Sequence, residues 1–283
     1  MKLAFVAALG MVFCPPLSAA DVAGTTRTFY TGHSFAGAPS NWLVLLAKQE
    51  GIAGYENLGR QAIGASRVIH HWNFADDRNG AKKALLTGKV DVLTLSPNMQ
   101  MPDEGIDAFV DLALKHNPNI RIVVQGSWMT WDGLGKDGIT NAGRDARPVS
   151  EIRERTAKHM EEIRVQLRAI NTRVGRDVCS LIPVGTAVVR LRELIAEGTL
   201  PGIDRPSRLF VDDIGHNHAL ISHVQVYMYY AALFHRDPRE LTAGLGNNGW
   251  GKFEGQPLPE IGALAKRIAW ETMQAEPMSG LPK

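Results

Sequence analysis

Two short stretches at opposite ends of the chain hold residue types suited to acyl-transfer chemistry. The first is Gly32-His33-Ser34, which closes the apolar run Thr28-Phe29-Tyr30-Thr31 and precedes a helical pattern opening at Pro39. Strand, tight turn and helix together can lift one hydroxyl to the carboxyl edge of a sheet, where open α/β folds place their ligands. Taken alone, Ser34 is also an ordinary turn former or helix cap. The second stretch is Asp213-Ile214-Gly215-His216, just before a long apolar helix pattern. A serine hydroxyl needs a neighbouring imidazole to take its proton. The imidazole in turn needs a carboxylate to fix its tautomer and stabilise its cation. Asp213 stands three residues before His216, so one loop carries both. The plainer reading of Asp212 or Asp213 is a cap for the helix that follows. A metal reading of His216, Asn217 and His218 with Asp212 lacks a third histidine at fixed helical spacing, and no metal or other cofactor is expected.

The elements that must position these residues alternate between strand and helix patterns. Strands are predicted at 28–31, within 55–63, and at 90–95, 120–124 and 178–182. Helices are predicted from Pro39, at 79–87, 104–116, 150–174, 187–197 and 219–234, and from Pro259 to Gln274. Such alternation implies a parallel sheet with right-handed crossovers. The expectation is a three-layer α/β/α domain with about five mostly parallel strands. Between 127 and 148 lies a long glycine-containing stretch with Trp128 and Trp131, which reads as a functional loop. These tryptophans, like Trp250 in a later glycine-rich stretch, either anchor loops or line a sugar-binding cleft. The charge-dense 150–174 helix reads mostly as a solvated face.

With 283 residues, 45% hydrophobic and 21% charged, the chain can bury a full core. The formal net charge is +2 with no long basic run, so nothing points to nucleic acid. Residues 1–20 read as a signal peptide: Lys2, an apolar segment from Leu3 to Phe13, and small residues at Ser18-Ala19-Ala20. The mature domain is then 21–283, periplasmic or secreted. No apolar run is long enough to span a bilayer. Removal of Cys14 with the leader leaves Cys179 alone, in an apolar run that reads as core.

Gly32-His33-Ser34, Gly64, Ser96-Pro97-Asn98 and Asp213-x-x-His216, in this order along the chain, resemble the blocks of the SGNH or GDSL hydrolases. The resemblance implies a flavodoxin-like arrangement and a serine esterase. It implies Ser34 as nucleophile, His216 as base and Asp213 as its orienting acid. It implies an oxyanion site built from the amides of Ser34 and Gly64 and the side chain of Asn98. Two positions depart from the family's pattern: His33 stands where Asp is usual and Ser96 where Gly is usual. The expected substrate is a small-molecule or polysaccharide ester, with Trp128 and Trp131 as candidate sugar contacts. A periplasmic O-acetyltransferase with the same triad and a non-catalytic ligand-binding protein on the same fold are the alternatives.

Overall fold

A computed structural model describes residues 26–136, 138–242, 244–246 and 259–282. The expected leader 1–20 and Trp250 lie outside them. Five strands form one parallel sheet: β1 (Thr26–Gly32), β2 (Tyr55–Ala62), β3 (Val92–Leu95), β4 (Arg121–Gln125) and β5 (Cys179–Ile182). Their spatial order is β2-β1-β3-β4-β5. β3 is buried at every position, as expected of a central parallel strand covered on both faces.

Alternate residues of each strand feed opposite layers, because successive side chains leave a strand on opposite faces. Tyr30, Val92, Val123 and Ile182 join one core. That core is shared with helices α1 (Gly37–Gln49), α6 (Val184–Ala196), α7 (Ala219–Phe234) and α8 (Pro259–Ala275). Phe29, Leu93, Ile122 and Leu181, one residue away in each case, join the other. There they meet α2 (Val68–Trp72), α3 (Gly80–Leu86), α4 (Glu104–His116) and α5 (Val149–Val174). The result is the expected three-layer α/β/α fold, with the flavodoxin-like strand order. The chain reverses direction across the sheet between β1 and β3, and the crevice at the carboxyl ends of those two strands is where such folds bind ligands.

Helix α7 is buried at all its positions, so its sequence is apolar all round rather than amphipathic. No helix among the described residues is long and apolar enough to cross a membrane. α5 is only partly the solvated helix expected: Ile152, Met160, Ile163, Leu167 and Ile170 form a buried stripe under its charged face. The 127–148 stretch holds two short 3-10 turns, at Thr130–Gly133 and Ala142–Ala146. α6 begins at Val184, inside what reads as a turn in the sequence. Cys179 is buried, and burial pushes its thiol up to about 12.

The short α2, which follows the Gly64 loop, is clamped to the start of α4. The buried Asp103 carboxylate accepts the backbone amides of Val68 at 2.7 Å, Ile69 at 2.9 Å and Gly105 at 3.1 Å. A Cβ on Gly105 would overlap the backbone of Val68 and Ile69. Gly105→Ala is therefore expected to cost about 2–4 kcal/mol, as overpacking against backbone does. Gly262→Ala, on an α8 position with open space around its Cβ, should instead gain roughly 0.5–1 kcal/mol. Urea unfolding of both variants checks this; equal effects would contradict the clamp.

Candidate active site

The sheet register sets the site's frame. Gly32 pairs with Ala62, and Tyr30 with Thr94. Continuing that register by two residues places Gly32 beside Ser96, and a Cβ on Gly32 would stand 3.1 Å from the Ser96 Cβ. Ser34, Gly64 and Asn98 each lie two residues beyond these aligned positions, in the loops that follow β1, β2 and β3 at the carboxyl edge.

Ser34 opens a 3-10 turn, Ser34–Ala36, that leads into α1. Its hydroxyl is exposed and lies 2.8 Å from His216 Nε2. His216 Nδ1 lies 2.6 Å from Asp212 Oδ2. An ionised carboxylate only accepts, so Nδ1 carries the proton. The Nε2 lone pair then accepts the Ser34 O–H, which is the tautomer a general base requires.

The acid beside His216 is thus Asp212, and the expectation of Asp213 is corrected. The cause is the turn between them. Gly215 has φ +97, a conformation that favours glycine. It folds the loop so that Asp212 Oδ1 accepts the amides of Gly215 at 2.9 Å and His216 at 3.0 Å. The same carboxylate therefore caps the turn and faces the imidazole. Burial alone would raise its pKa, but the bonds from the His216 ring and from these two amides outweigh it and hold the carboxyl below its usual value. Asp213 points elsewhere and accepts the Asn141 amide at 2.6 Å. Two adjacent aspartates cannot be told apart by residue type. The readable signal was Gly215, which lets the chain turn back on the earlier one.

Asn98 bridges two loops. Its Nδ2 donates to Ala65 O at 3.2 Å, and its Oδ1 accepts the Met99 amide at 2.7 Å. Each Asn side-chain nitrogen has two hydrogens, so Asn98 keeps a second donor. Gly64 is exposed beside Ala65, and the preceding Ile63 amide donates to Gly32 O at 3.2 Å. The Gly64 loop is thereby tied to the strand end that carries Ser34.

The two departures from the SGNH pattern meet each other. His33 Nδ1 accepts the Phe35 amide at 3.3 Å, capping the turn as an aspartate would. Its Nε2–H then reaches Pro97 O at 3.3 Å and Ser96 Oγ at 3.2 Å. One neutral ring thus fastens the Ser34 loop to the Asn98 loop.

Trp128 does not face a cleft. It is 3% exposed, stacks on Phe35 at 4.6 Å and donates Nε1–H to Gly215 O at 2.8 Å. The candidate sugar contact is a brace between the Ser34 turn and the His216 loop. It sits three residues past Gln125, which ends β4. Trp131 is half-buried and lines a cleft of about 510 Å³ with Met99, Met129, Arg155 and Lys158. Its amide donates to Ile214 O at 3.0 Å, so the cleft adjoins the His216 loop.

Phe35 is the residue the sequence reading missed. Its carbonyl accepts Gln125 Nε2 at 3.1 Å and Gln225 Nε2 at 2.8 Å, and its ring meets His216 edge-on at 5.3 Å. His216 and His218 do not converge, since His218 Nδ1 accepts the Ala219 amide as a helix cap. Among the described residues no group of three metal-ligating side chains occurs.

No family profile matches the chain, and no curated protein does. Among solved structures, a provisionally assigned SGNH hydrolase from Slackia heliotrinireducens is similar with TM-score 0.42 and 16% identity, over 71% of this chain and 95% of its own. The periplasmic domain of a lipopolysaccharide acetyltransferase from Salmonella ser. Paratyphi A is similar with TM-score 0.36 and 14% identity, over 58% of this chain and 68% of its own.

The neutral His33 makes a pH prediction. Burial lowers its pKa from 6.5 to about 4, against a partly opposing bond to Pro97. The unfolded chain therefore takes up this proton first as pH falls. The stabilisation is full above about 6.5 and is lost progressively between 6.5 and about 4, by up to about 3 kcal/mol. His71, His218 and His235, also lowered to about 4 by burial, add to the same decline. His33→Asn keeps a capping acceptor and should flatten the curve in that window. Denaturant unfolding across pH 4–7 measures it, and an unchanged slope would contradict the neutral-ring assignment.

Proposed function

We propose that this protein is a serine hydrolase that cleaves carboxylic esters through an acyl-enzyme. The observation that carries the reading is the continuous line of contacts Ser34 Oγ–His216 Nε2–Asp212 Oδ2, at 2.8 Å and 2.6 Å. Ser34 attacks the acyl carbonyl while His216 takes its proton, and Asp212 stabilises the imidazolium. The amides of Ser34 and Gly64 and the spare hydrogen of Asn98 Nδ2 receive the oxyanion. His216 then protonates the departing alcohol. Water repeats the sequence on the acyl-enzyme, and Ser34 regains its proton. No cofactor takes part in this scheme.

We read the cleft past Asn98, with Trp131 on its wall, as the place of the alcohol portion, and an acylated sugar of a polysaccharide as its occupant. Its size also suits a sugar hydroxyl as acceptor in place of water, which is the O-acetyltransferase reading. Export through the 1–20 leader puts the enzyme in the periplasm or outside the cell.

Steady-state kinetics on a short-chain aryl ester test this, with circular dichroism to confirm folding. Ser34→Ala should abolish labelling by a fluorophosphonate and lower kcat by up to about a millionfold. Asp212→Asn should lower kcat by about 10⁴ through the wrong tautomer, whereas Asp213→Asn should stay within roughly tenfold. Asn98→Ala should cost about 10²–10³ in kcat with KM little changed. Full activity in Ser34→Ala would sink the reading. A folded parent with no turnover and no labelling would favour a ligand-binding protein. Product analysis with an acyl donor and a glycan separates transfer from hydrolysis.

A further inference from the structure

Beneath the His216 loop lies a buried charge cluster that the scheme above does not use. Arg144, Asp132 and Arg192 have side chains 0%, 3% and 2% exposed. Arg192 grips the Asp132 carboxylate with two bonds, of 2.9 Å and 2.7 Å. Arg144 Nε donates to the same carboxylate at 3.3 Å. Both guanidinium groups lie over the Phe210 ring, at 4.8 Å and 5.2 Å.

The remaining donors of Arg144 are aimed at the loop. Nη1 donates to Asp212 O at 3.0 Å and to Asn141 Oδ1 at 2.9 Å, and Nη2 donates to Asp213 O at 2.6 Å. These carbonyls belong to the residue that faces His216 and to its neighbour. A Cβ on Gly215 would approach Arg144 Nη2 to 3.1 Å, so the loop rests directly on the guanidinium.

This cluster is costly. Burying three charges forfeits much of their hydration, and such groups give little net stability compared with apolar packing. Arg192 Nε has no hydrogen-bond partner. Trp131 and Asp132, neither of them glycine, sit at φ 48 and φ 52, in the left-handed region that strains a residue with a side chain. The strained pair turns the Asp132 carboxylate inward, where it holds both arginines. A stability role does not account for an arrangement whose outward donors all end on the loop or on Asn141, whose own amide donates to Asp213.

We propose that Arg144 is a positioning residue for the acyl-transfer reaction. It sets the Asp212–His216 loop through two carbonyls, and the Asp132–Arg192 pair sets Arg144. The proposal rests on the serine hydrolase reading. Arg144 touches neither substrate nor reacting atoms; it acts through Asp212 and His216. Displacement of a catalytic base by about an ångström costs on the order of a hundredfold in rate. Arg144 does not line the cleft walled by Trp131, so substrate binding should change little.

The test is kcat per active site, with sites counted by fluorophosphonate titration, and KM measured alongside. Arg144→Met should lower kcat per titrated site by about 30- to 100-fold, with KM within about threefold of the parent. Arg144→Lys keeps the charge but loses the fork that serves two carbonyls, and should recover part of the loss. It carries the test if Arg144→Met does not fold. Arg192→Met disturbs the anchor and leaves the loop contacts, so it should lower thermal stability with a smaller drop in kcat per site. A merely structural Arg144 would reduce the fraction of titratable sites and leave kcat per site at the parental value in both variants, which would overturn the proposal. A parent that neither labels nor turns over would reject the hydrolase reading and this role with it. An active parent with unaffected Arg144 variants would reject this role alone.

Discussion

A hydrogen bond between side chains 182 residues apart, Ser34 to His216, forms only if two unrelated loops are held at a fixed separation. The Ser34 turn leads into α1, and the His216 loop closes on itself through Val211 N–H to His216 O and His218 N–H to Leu209 O, but no backbone ladder joins one loop to the other. The Phe35–Trp128 stack supplies the link. Phe35 follows Ser34 and is pinned through its carbonyl by Gln125 and Gln225, which come from β4 and α7. Trp128 packs on that ring and holds Gly215, one residue before His216. The distance from Ser34 to His216 is thereby referred to one aromatic contact between the two loops. Stacked aromatic pairs hold geometry well because their rings are rigid and bury large areas.

The second constraint is the sheet itself. Parallel register brings the ends of β2, β1 and β3 to one level, and Gly64, Ser34 and Asn98 lie at equal offsets in the loops that follow them. His33 then joins two of these loops with a single ring, through Phe35 on one side and Pro97 and Ser96 on the other. Seen from the sequence, His33 and Ser96 are two separate departures from the SGNH pattern. In the structure they are one contact, each explaining the other: an aspartate at 33 can cap the turn but has no proton to give the neighbouring loop.

The layers, the parallel sheet and the pairing of Ser34 with His216 were legible because each has a local signature. β-branched runs alternate with helical periods, a glycine-bearing turn follows the first strand, and a histidine precedes an apolar helix. What was not legible depends on side-chain direction. Asp212 and Asp213 differ only in how Gly215 turns the chain between them. Trp128 and Trp131 share a glycine-rich stretch, yet one is buried as a brace and the other lines a cleft. No sequence pattern singles out Arg144 or Arg192, and only the fold brings Asp132 between them. Sequence periodicity sees which face a residue occupies and not which loop it reaches across.

The most direct measurement is a crystal structure of the protein after reaction with a fluorophosphonate. Phosphorus should be bonded to Ser34 Oγ, its oxygen turned toward Gly64 and Asn98, with the His216 ring still paired with Asp212. An adduct on another hydroxyl, or an unmodified Ser34 in protein exposed to excess reagent, would contradict it.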